Sequence, residues 1–567
     1  MPKYVIGLDY GTNSVRALVA ETQSGEEVAA YSWPYAHGED GVILDDAQPD
    51  LARQHPWDYV QGLEESVKGA LAEAARTAGF TPKDVIGIGV DTTGSTPLPV
   101  DAEGEPLAFQ DRFAHEPAAM AWLWKDHTAH AEAAEITERA ESERPAYLAK
   151  CGGIYSSEWY WSKLLHAVRT APEVFKAAHT WVELADWIPA LLTDTDAPDT
   201  LRRCICAAGH KAMFHPTWGY PDEEFLAGLH PGLAEVRRTL PDEAFHIGQA
   251  AGALTPEWAE RLGLPPGIPV AMGAFDAHLG AVGSGIQPGV LVKIIGTSTC
   301  DIAIAPLDPA FPDIPGLCGI VPESVLPGCL GLEAGQSAVG DIFDWFVRRI
   351  APGGPGHGSH EALTRNAEQL APGESGLLAL DWFNGNRTVL VDQRLSGAIL
   401  GLNLHSTGPE IYRALIESTA MGARVILERF EEYGVHIERV VNCGGISVKN
   451  PLVMQIYADI LGRPLEISRS SETCALGAAM AGSVVAGAAN GGHDTFESAA
   501  GAMTGVLDQA FHPEPGALNT YNRLYTLYKR VHDAFGTREG SSEGMHEVMK
   551  ELLEIRDGVH AQKEDTQ

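Results

Sequence analysis

Two stretches of this chain carry the same succession of apolar and polar positions. YVIGLDYGTNSVRALVAET (Tyr4 to Thr22) is an apolar run, a Gly-Thr-x-Ser turn and a second apolar run. VLVKIIGTSTCDIAIAP (Val290 to Pro306) repeats that outline in the second half. β-branched runs joined by a short Gly-containing turn predict a β-hairpin. Each turn clusters backbone N–H groups and hydroxyls, a combination that can cradle phosphate oxygens. Two copies predict a duplicated domain with two phosphate-gripping hairpins facing one cleft.

The rest of the pattern fits an α/β duplication, in which strand, hairpin and helix recur in both halves. A Pro/Asp-rich stretch, Gly38 to Pro56, reads as a loop, and helical spacing follows from about Trp57 to Thr77. VIGIGV (Val85 to Val90) reads as a buried strand entering a polar loop, Asp91 to Pro97. Pro269 to Gly285 combines a strand, a turn and a small-residue helix. Further helices are predicted over Pro409 to Tyr433, Pro451 to Leu461 and Ala475 to Ala489, with a strand over Arg439 to Gly445. Pro409 falls at a first turn, where a missing N–H costs nothing. The charged end, Thr537 to Gln567, reads as a surface helix with a frayed tail.

Length adds the domain count, since 567 residues exceed what one core supports. The division predicted is 1–285, 286–540 and a charged C-terminal segment, 541–567. The formal charge is −36, from 76 acidic and 40 basic residues. That balance argues against nucleic-acid or anionic-membrane partners, which need a basic footprint. Eight scattered cysteines without C-x-x-C spacing suggest reduced cytoplasmic thiols, and nothing adjacent to Cys204-x-Cys206 completes a zinc site. No apolar run is long enough for a transmembrane helix. Gly280 to Gly285 lacks dinucleotide-loop spacing, and no P-loop exists, so phosphate binding falls to the hairpins. The His/Pro/Gly-rich run from Gly353 to His360 reads as a flexible loop without metal-ligand spacing.

Two carboxylates stand out. Asp9, just before the first turn, would repel a phosphate unless a divalent cation lay between, so it is a candidate magnesium ligand acting through water. Asp276, in GAFDAH, reads equally well on the residues alone as a helix N-cap or as a base. His278 reads as a supporting or packing residue.

Ten segments in order resemble the FGGY carbohydrate kinase family, within the actin/hexokinase/heat-shock-chaperone ATPase fold. They are GLDYGTNSVRAL, VDTTGSTP, LWKDHT, GGIYSSEW, AGHK, GAFDAHLGAVG, IGTSTCDI, GLEAGQSA, DWFNGNR and CGGISVKN, and they span nearly the whole chain. The resemblance implies an α/β fold of duplicated actin-like ATPase (ribonuclease H-like) domains with an interdomain cleft. It implies ATP and magnesium as cofactors and a homodimer as a family-level expectation. Asp276 becomes the base that accepts the substrate hydroxyl's proton. Gly11, Thr12, Asn13 and Ser14 face the phosphates from one side, and Gly296, Thr297 and Ser298 from the other. Gly444 and Gly445 let adenosine lie close to backbone, with Lys449 and Asn450 nearby; Cys443 stands where family members often carry a third glycine.

For sugar, the resemblance assigns Lys211, Asp276 and Glu333, the last in a Gly-flanked loop. Gly94, Ser95 and Thr96 shape a pocket, Trp124 walls it and Asp126 adds a polar contact. Their order is most similar to kinases of L-ribulose, which implies phosphorylation of the 5-hydroxyl in L-arabinose catabolism. Within the family, D-ribulose, xylulose, ribitol or glycerol are the alternative acceptors. A nucleotide-driven polymer or chaperone, or a DNA-binding sugar sensor, finds no matching surface or basic module here.

Overall fold

The computed structural model describes residues 2–352, 359–540 and 544–555. Most of the predicted 353–360 loop and the tail beyond residue 555 lie outside the described residues.

Two seven-stranded sheets dominate. The first is built from β1 (Tyr4–Tyr10), β2 (Ser14–Glu21), β3 (Glu27–Pro34), β4 (Val85–Thr92), β5 (Ala250–Ala253), β6 (Pro269–Ala271) and β7 (Ala274–Phe275). Its order is β5-β6-β4-β1-β2-β3, with β7 also on β4. The second comprises β8 (Val290–Ile295), β9 (Thr299–Pro306), β10 (Gly319–Pro322), β11 (Cys329–Ala334), β12 (Arg439–Cys443), β13 (Leu465–Ser468) and β14 (Val506–Phe511). Its order is β10-β11-β9-β8-β12-β13-β14. Both predicted hairpins are present, β1–β2 and β8–β9, each antiparallel. The duplication is visible in the pairing: the hairpin's first strand is followed on its free side by a parallel strand, β4 in one sheet and β12 in the other.

The helices that position the site are α1 (Pro56–Ala74), α2 (Ile205–Ala212), α3 (Asp276–Gly283), α4 (Gly408–Glu432), α5 (Pro451–Leu461), α6 (Thr473–Ala486) and α7 (Pro515–Gly536). Proline sits in the first turn of α1, α4, α5 and α7. α6 is made of small residues and is buried along most of its length. It lies on β1 and β4 and against α3, although it follows them by some 200 residues or more in the chain. Contact this close needs glycine: a Cβ on Gly7 would stand 1.8 Å from the Ala475 carbonyl oxygen. α3 also touches β8 and β9, so α3 and α6 form the junction between the sheets. A separate aromatic-rich core, including Trp122, Trp161 and Trp181, fills a helical lobe between β4 and β5.

One reading needs correction. Gly38 to Pro56 is not a loop throughout, because Ile43–Asp45 and Gln48–Gln54 pair as a short hairpin whose second strand also meets Ala121–Trp122. Its Pro and Asp content hid two strands too short to show a period. At the C-terminal end the long helix α7 lies before residue 537, and the later described residues hold a short turn, Met545–Glu547, with helix at 548–555.

Candidate active site

Three adjacent strands of the first sheet deliver three carboxylates to one place. β1 and β4 run parallel with Asp9 in register with Asp91, and β7 sets Ala274 beside Asp91, two residues before Asp276. Side chains in register on parallel neighbours leave the same face about 4.8 Å apart. Asp276 opens α3, and its Oδ1 accepts the Ala277 N–H at 2.7 Å. Burial foremost, then the charge of Asp9, pushes the Asp276 carboxyl up to about 7. A base works best when its pKa lies near the working pH. Asp9 Oδ2 accepts from Arg16 Nη1 at 3.1 Å, and the same guanidinium reaches Glu472 at 2.8 Å. Asp91 is fully buried, and its carboxyl is raised well above the ordinary range, first by burial and then by Asp9 and Asp276.

α2, which packs against β7, presents Lys211, and β11 presents Glu333. Lys211 Nζ lies 3.4 Å from both Glu333 carboxylate oxygens, with both residues nearly inaccessible. The ammonium also sits 5.3 Å above Trp159 and 5.7 Å above Phe275. Burial opposes the charge on Lys211, but Glu333, joined by Cys318 and Glu158, outweighs it and the amine is raised. For Glu333 burial is likewise outweighed, chiefly by Lys211, and the carboxyl falls below its usual range. The pair is therefore ionised at neutral pH. Glu333 belongs to a paired strand rather than the loop expected, which fixes its direction more firmly.

Two histidines extend this pair. His210 Nδ1 approaches Glu333 at 3.2 Å, and the Nε2 atoms of His210 and His278 are 3.0 Å apart. Burial lowers both imidazoles, His278 to about 4, so they act as neutral rings. His278 Nε2 also lies 3.8 Å from Glu333. The fold also brings Cys206 within 4.8 Å of the two rings, a grouping no linear spacing reveals. Close packing of α2 against β10 makes it possible: a Cβ on Gly209 would overlap Val321, and one on Gly319 would overlap His210.

The predicted pocket residues divide. Trp124 Nε1 donates to Thr12 Oγ1 at 3.1 Å, tying it to the turn between β1 and β2. Gly94 is partly exposed beside Phe275. Ser95 and Thr96 are fully buried and turn to Glu183, which accepts from the Ser95 hydroxyl and from the Thr96 N–H at 2.8 Å. Asp126 is also fully buried, paired with Arg53 and accepting from the Ala52 N–H at 2.8 Å and the Thr128 hydroxyl at 2.6 Å. The hydrogen bonds of Ser95, Thr96 and Asp126 thus run to the protein's own groups.

Of the nucleotide residues, Gly11, Thr12 and Asn13 link β1 to β2, where Ser14 begins the second strand; Gly296, Thr297 and Ser298 link β8 to β9. Gly11 N–H donates to Ser14 O at 3.0 Å, and Gly296 N–H to Ser298 O at 2.9 Å. Gly444, at φ +93°, turns β12 into the short helix Gly445–Lys449. Gly444, Gly445 and Lys449 are exposed. Asn450 instead caps α5, accepting from Val453 N–H at 3.2 Å. Asp91, His210 and Arg387 were not singled out from the sequence. Arg387 lies in the DWFNGNR motif, and its charge bears on Glu333.

Residues 4–283 match the N-terminal domain, and residues 291–486 the C-terminal domain, of the FGGY family of carbohydrate kinases. The chain is 42% identical over 569 residues to a ribulokinase of Shouchella clausii, with 98% of each chain covered. It is 42% identical over 575 residues to a ribulokinase of Halalkalibacterium halodurans, again covering 98% of each. In fold it is similar to a crystal structure of xylulose kinase from Rhodospirillum rubrum, at a TM-score of 0.74 and 24% identity, covering 94% of this chain and 99% of that one.

Proposed function

The chain belongs to the FGGY family of carbohydrate kinases, and from that premise we propose that it is a ribulokinase, transferring the γ-phosphoryl group of ATP to the 5-hydroxyl of L-ribulose. The observation that carries the reading is the buried, ionised Lys211–Glu333 pair, whose two charges both bear on the Asp276 carboxyl. Full-length likeness to ribulokinases supports the choice of sugar.

In this mechanism Lys211 donates to sugar oxygens while Glu333 accepts from sugar hydroxyls, holding the acceptor in one orientation. Asp276 hydrogen-bonds the 5-hydroxyl and takes its proton as the new P–O bond forms. The Gly11–Ser14 and Gly296–Ser298 turns grip the phosphates, and Gly444 and Gly445 receive the adenosine beside Lys449 and Asn450. Gly94 and Trp124 shape the pocket over a frame of Ser95, Thr96 and Asp126. Closure of the halves about α3 and α6 excludes water, which otherwise competes as the acceptor. The carboxylate donors fit a hard divalent cation, and Asp9, with one oxygen free of Arg16, would hold magnesium. When bound, magnesium neutralises phosphate charge.

The same proposal covers a sugar-and-base half, 1–285, a nucleotide half, 286–540, a cytoplasmic setting, a role in L-arabinose catabolism and a homodimeric state. No helix among the described residues is long and apolar enough to cross a membrane. The test is ADP release with ATP, magnesium and a panel of pentuloses, pentoses and polyols against a sugar-free blank. A dominant L-ribulose signal with a 5-phosphate product is expected. Preference for glycerol or a xylulose, or sugar-independent hydrolysis, rejects the assignment.

A further inference from the structure

One carboxylate in the cleft has no hydrogen-bonding partner. Asp91 is 0% exposed, and neither of its oxygens meets a donor among the described residues. Burying an unpaired anion costs several kcal/mol, so such groups are paired, protonated or bound to metal. The nearby cation makes no direct contact with it: Arg16 pairs with Asp9 and Glu472, and only its field reaches Asp91. Nor is Asp91 part of the sugar-facing pair, which comes from α2 and β11.

Its position is fixed by backbone register. Asp91 stands opposite Asp9 on the neighbouring parallel strand, so the two carboxylates share one face of the sheet. Neither carboxylate can donate to the other while both are ionised. Two acceptor-only groups can occupy such a position at neutral pH if a proton or a cation lies between them. Hard divalent cations prefer oxygen ligands, and magnesium is commonly held by one or two carboxylates completed by phosphate oxygens and water. Asp9 and Asp91 form such a pair, with Asp276 alongside.

We infer that Asp91 is a direct carboxylate ligand, together with Asp9, of the divalent cation that accompanies the nucleotide. The inference rests on the kinase reading above. It assigns Asp91 to the metal and leaves Asp276 free to act on the sugar hydroxyl.

Asp91→Asn separates this role from the others. An asparagine amide can donate to Asp9 and so preserves a hydrogen-bonded pair, but it replaces an anionic ligand with a neutral one. The measurement is a Mn2+ titration of the full chain with ADP, following free Mn2+ by electron paramagnetic resonance. Unaltered protein is expected to hold one Mn2+ more tightly than ADP alone does. Asp91→Asn should weaken that site at least about ten-fold, with metal-free ADP binding unchanged and thermal stability equal or higher. A smaller change overturns the inference, as does an unaltered protein that adds nothing to Mn2+ binding by ADP. A raised sugar KM with unchanged Mn2+ affinity also overturns it, placing Asp91 on the sugar. If Asp91→Asn does not fold, Asp91→Ser takes its place under the same criterion. Sugar-dependent ADP release by the unaltered protein is scored separately, so failure of the kinase reading is distinguishable from failure of the metal assignment.

Discussion

Lys211 Nζ stands 3.4 Å from each carboxylate oxygen of Glu333, a contact that joins α2 of the first half to β11 of the second. Both side chains are less than a tenth exposed. Removing one charge strands the other, which typically costs about 3–5 kcal/mol when a pair is buried. Lys211→Met and Glu333→Gln should each lower stability by about 3 kcal/mol on that basis. The double variant should lose less than the sum, with a coupling of at least about 1 kcal/mol. Each single variant should also lose roughly 100-fold in kcat/KM for sugar, the worth of a charged hydrogen bond, while the KM for ATP stays near its starting value. Thermal melts and steady-state kinetics check both parts; additive stability losses would show that the two residues do not act as a pair.

Asp276 sets a pH dependence. Burial and the charge of Asp9 raise its carboxyl to about 7 in the free protein. Only the deprotonated form can accept a proton, so kcat/KM for sugar should climb as pH rises through about 7 and level off above it. Below that point it should fall about ten-fold per pH unit, as expected for one essential base. Asp276→Asn should abolish this limb and reduce kcat by about 10²- to 10⁴-fold, the range for a lost general base, with ADP affinity within two-fold. A variant that kept most of its turnover would falsify the role.

The hairpins were legible because a β-branched run, a glycine turn and a second run survive translation from sequence to structure almost unchanged. Asp9 and Asp276 could be located for a related reason: each falls at or just past the end of a strand, where a polar residue interrupts an apolar run, though the role of Asp276 came only from the family resemblance. Asp91 occupies a similar position, but its meaning appears only when strand register sets it beside Asp9, 82 positions away in the chain. Ser95 and Thr96 look different in the sequence and in the fold. They stand in a polar loop that looks open, yet Glu183, 88 and 87 residues away respectively, turns them inward. Glu333 was placed by its flanking glycines in a loop, whereas β-pairing on both sides makes it a central strand residue.

Asp126 tests how far pocket and frame can be told apart. Its partner Arg53 is 3% exposed, and Asp126 itself 0%. Asp126→Asn should therefore act on stability, costing about 3–5 kcal/mol as a broken buried pair, with little effect on sugar KM in the protein that remains folded. A large rise in sugar KM with an unchanged melting temperature would return Asp126 to the sugar pocket.

Gly89 and Gly445 should respond to the same substitution in opposite ways. A Cβ on Gly89 would lie 1.8 Å from the Ala478 carbonyl oxygen, where only the backbone of α6 can yield. Gly89→Ala must push α6 off β4, and overpacking of this kind costs about 1–3 kcal/mol or more. Because α6 also supports α3, which begins at Asp276, the displacement should reach the base and lower kcat as well as the melting temperature. Nothing stands within 4 Å of a Cβ on exposed Gly445. Gly445→Ala should leave the melting temperature unchanged and instead raise the KM for ATP, since the added methyl occupies the surface proposed for adenosine. Paired calorimetry and kinetics decide the matter. An unchanged KM for ATP in Gly445→Ala removes that glycine from the nucleotide site, and an unchanged melting temperature in Gly89→Ala means that α6 is free to move without cost.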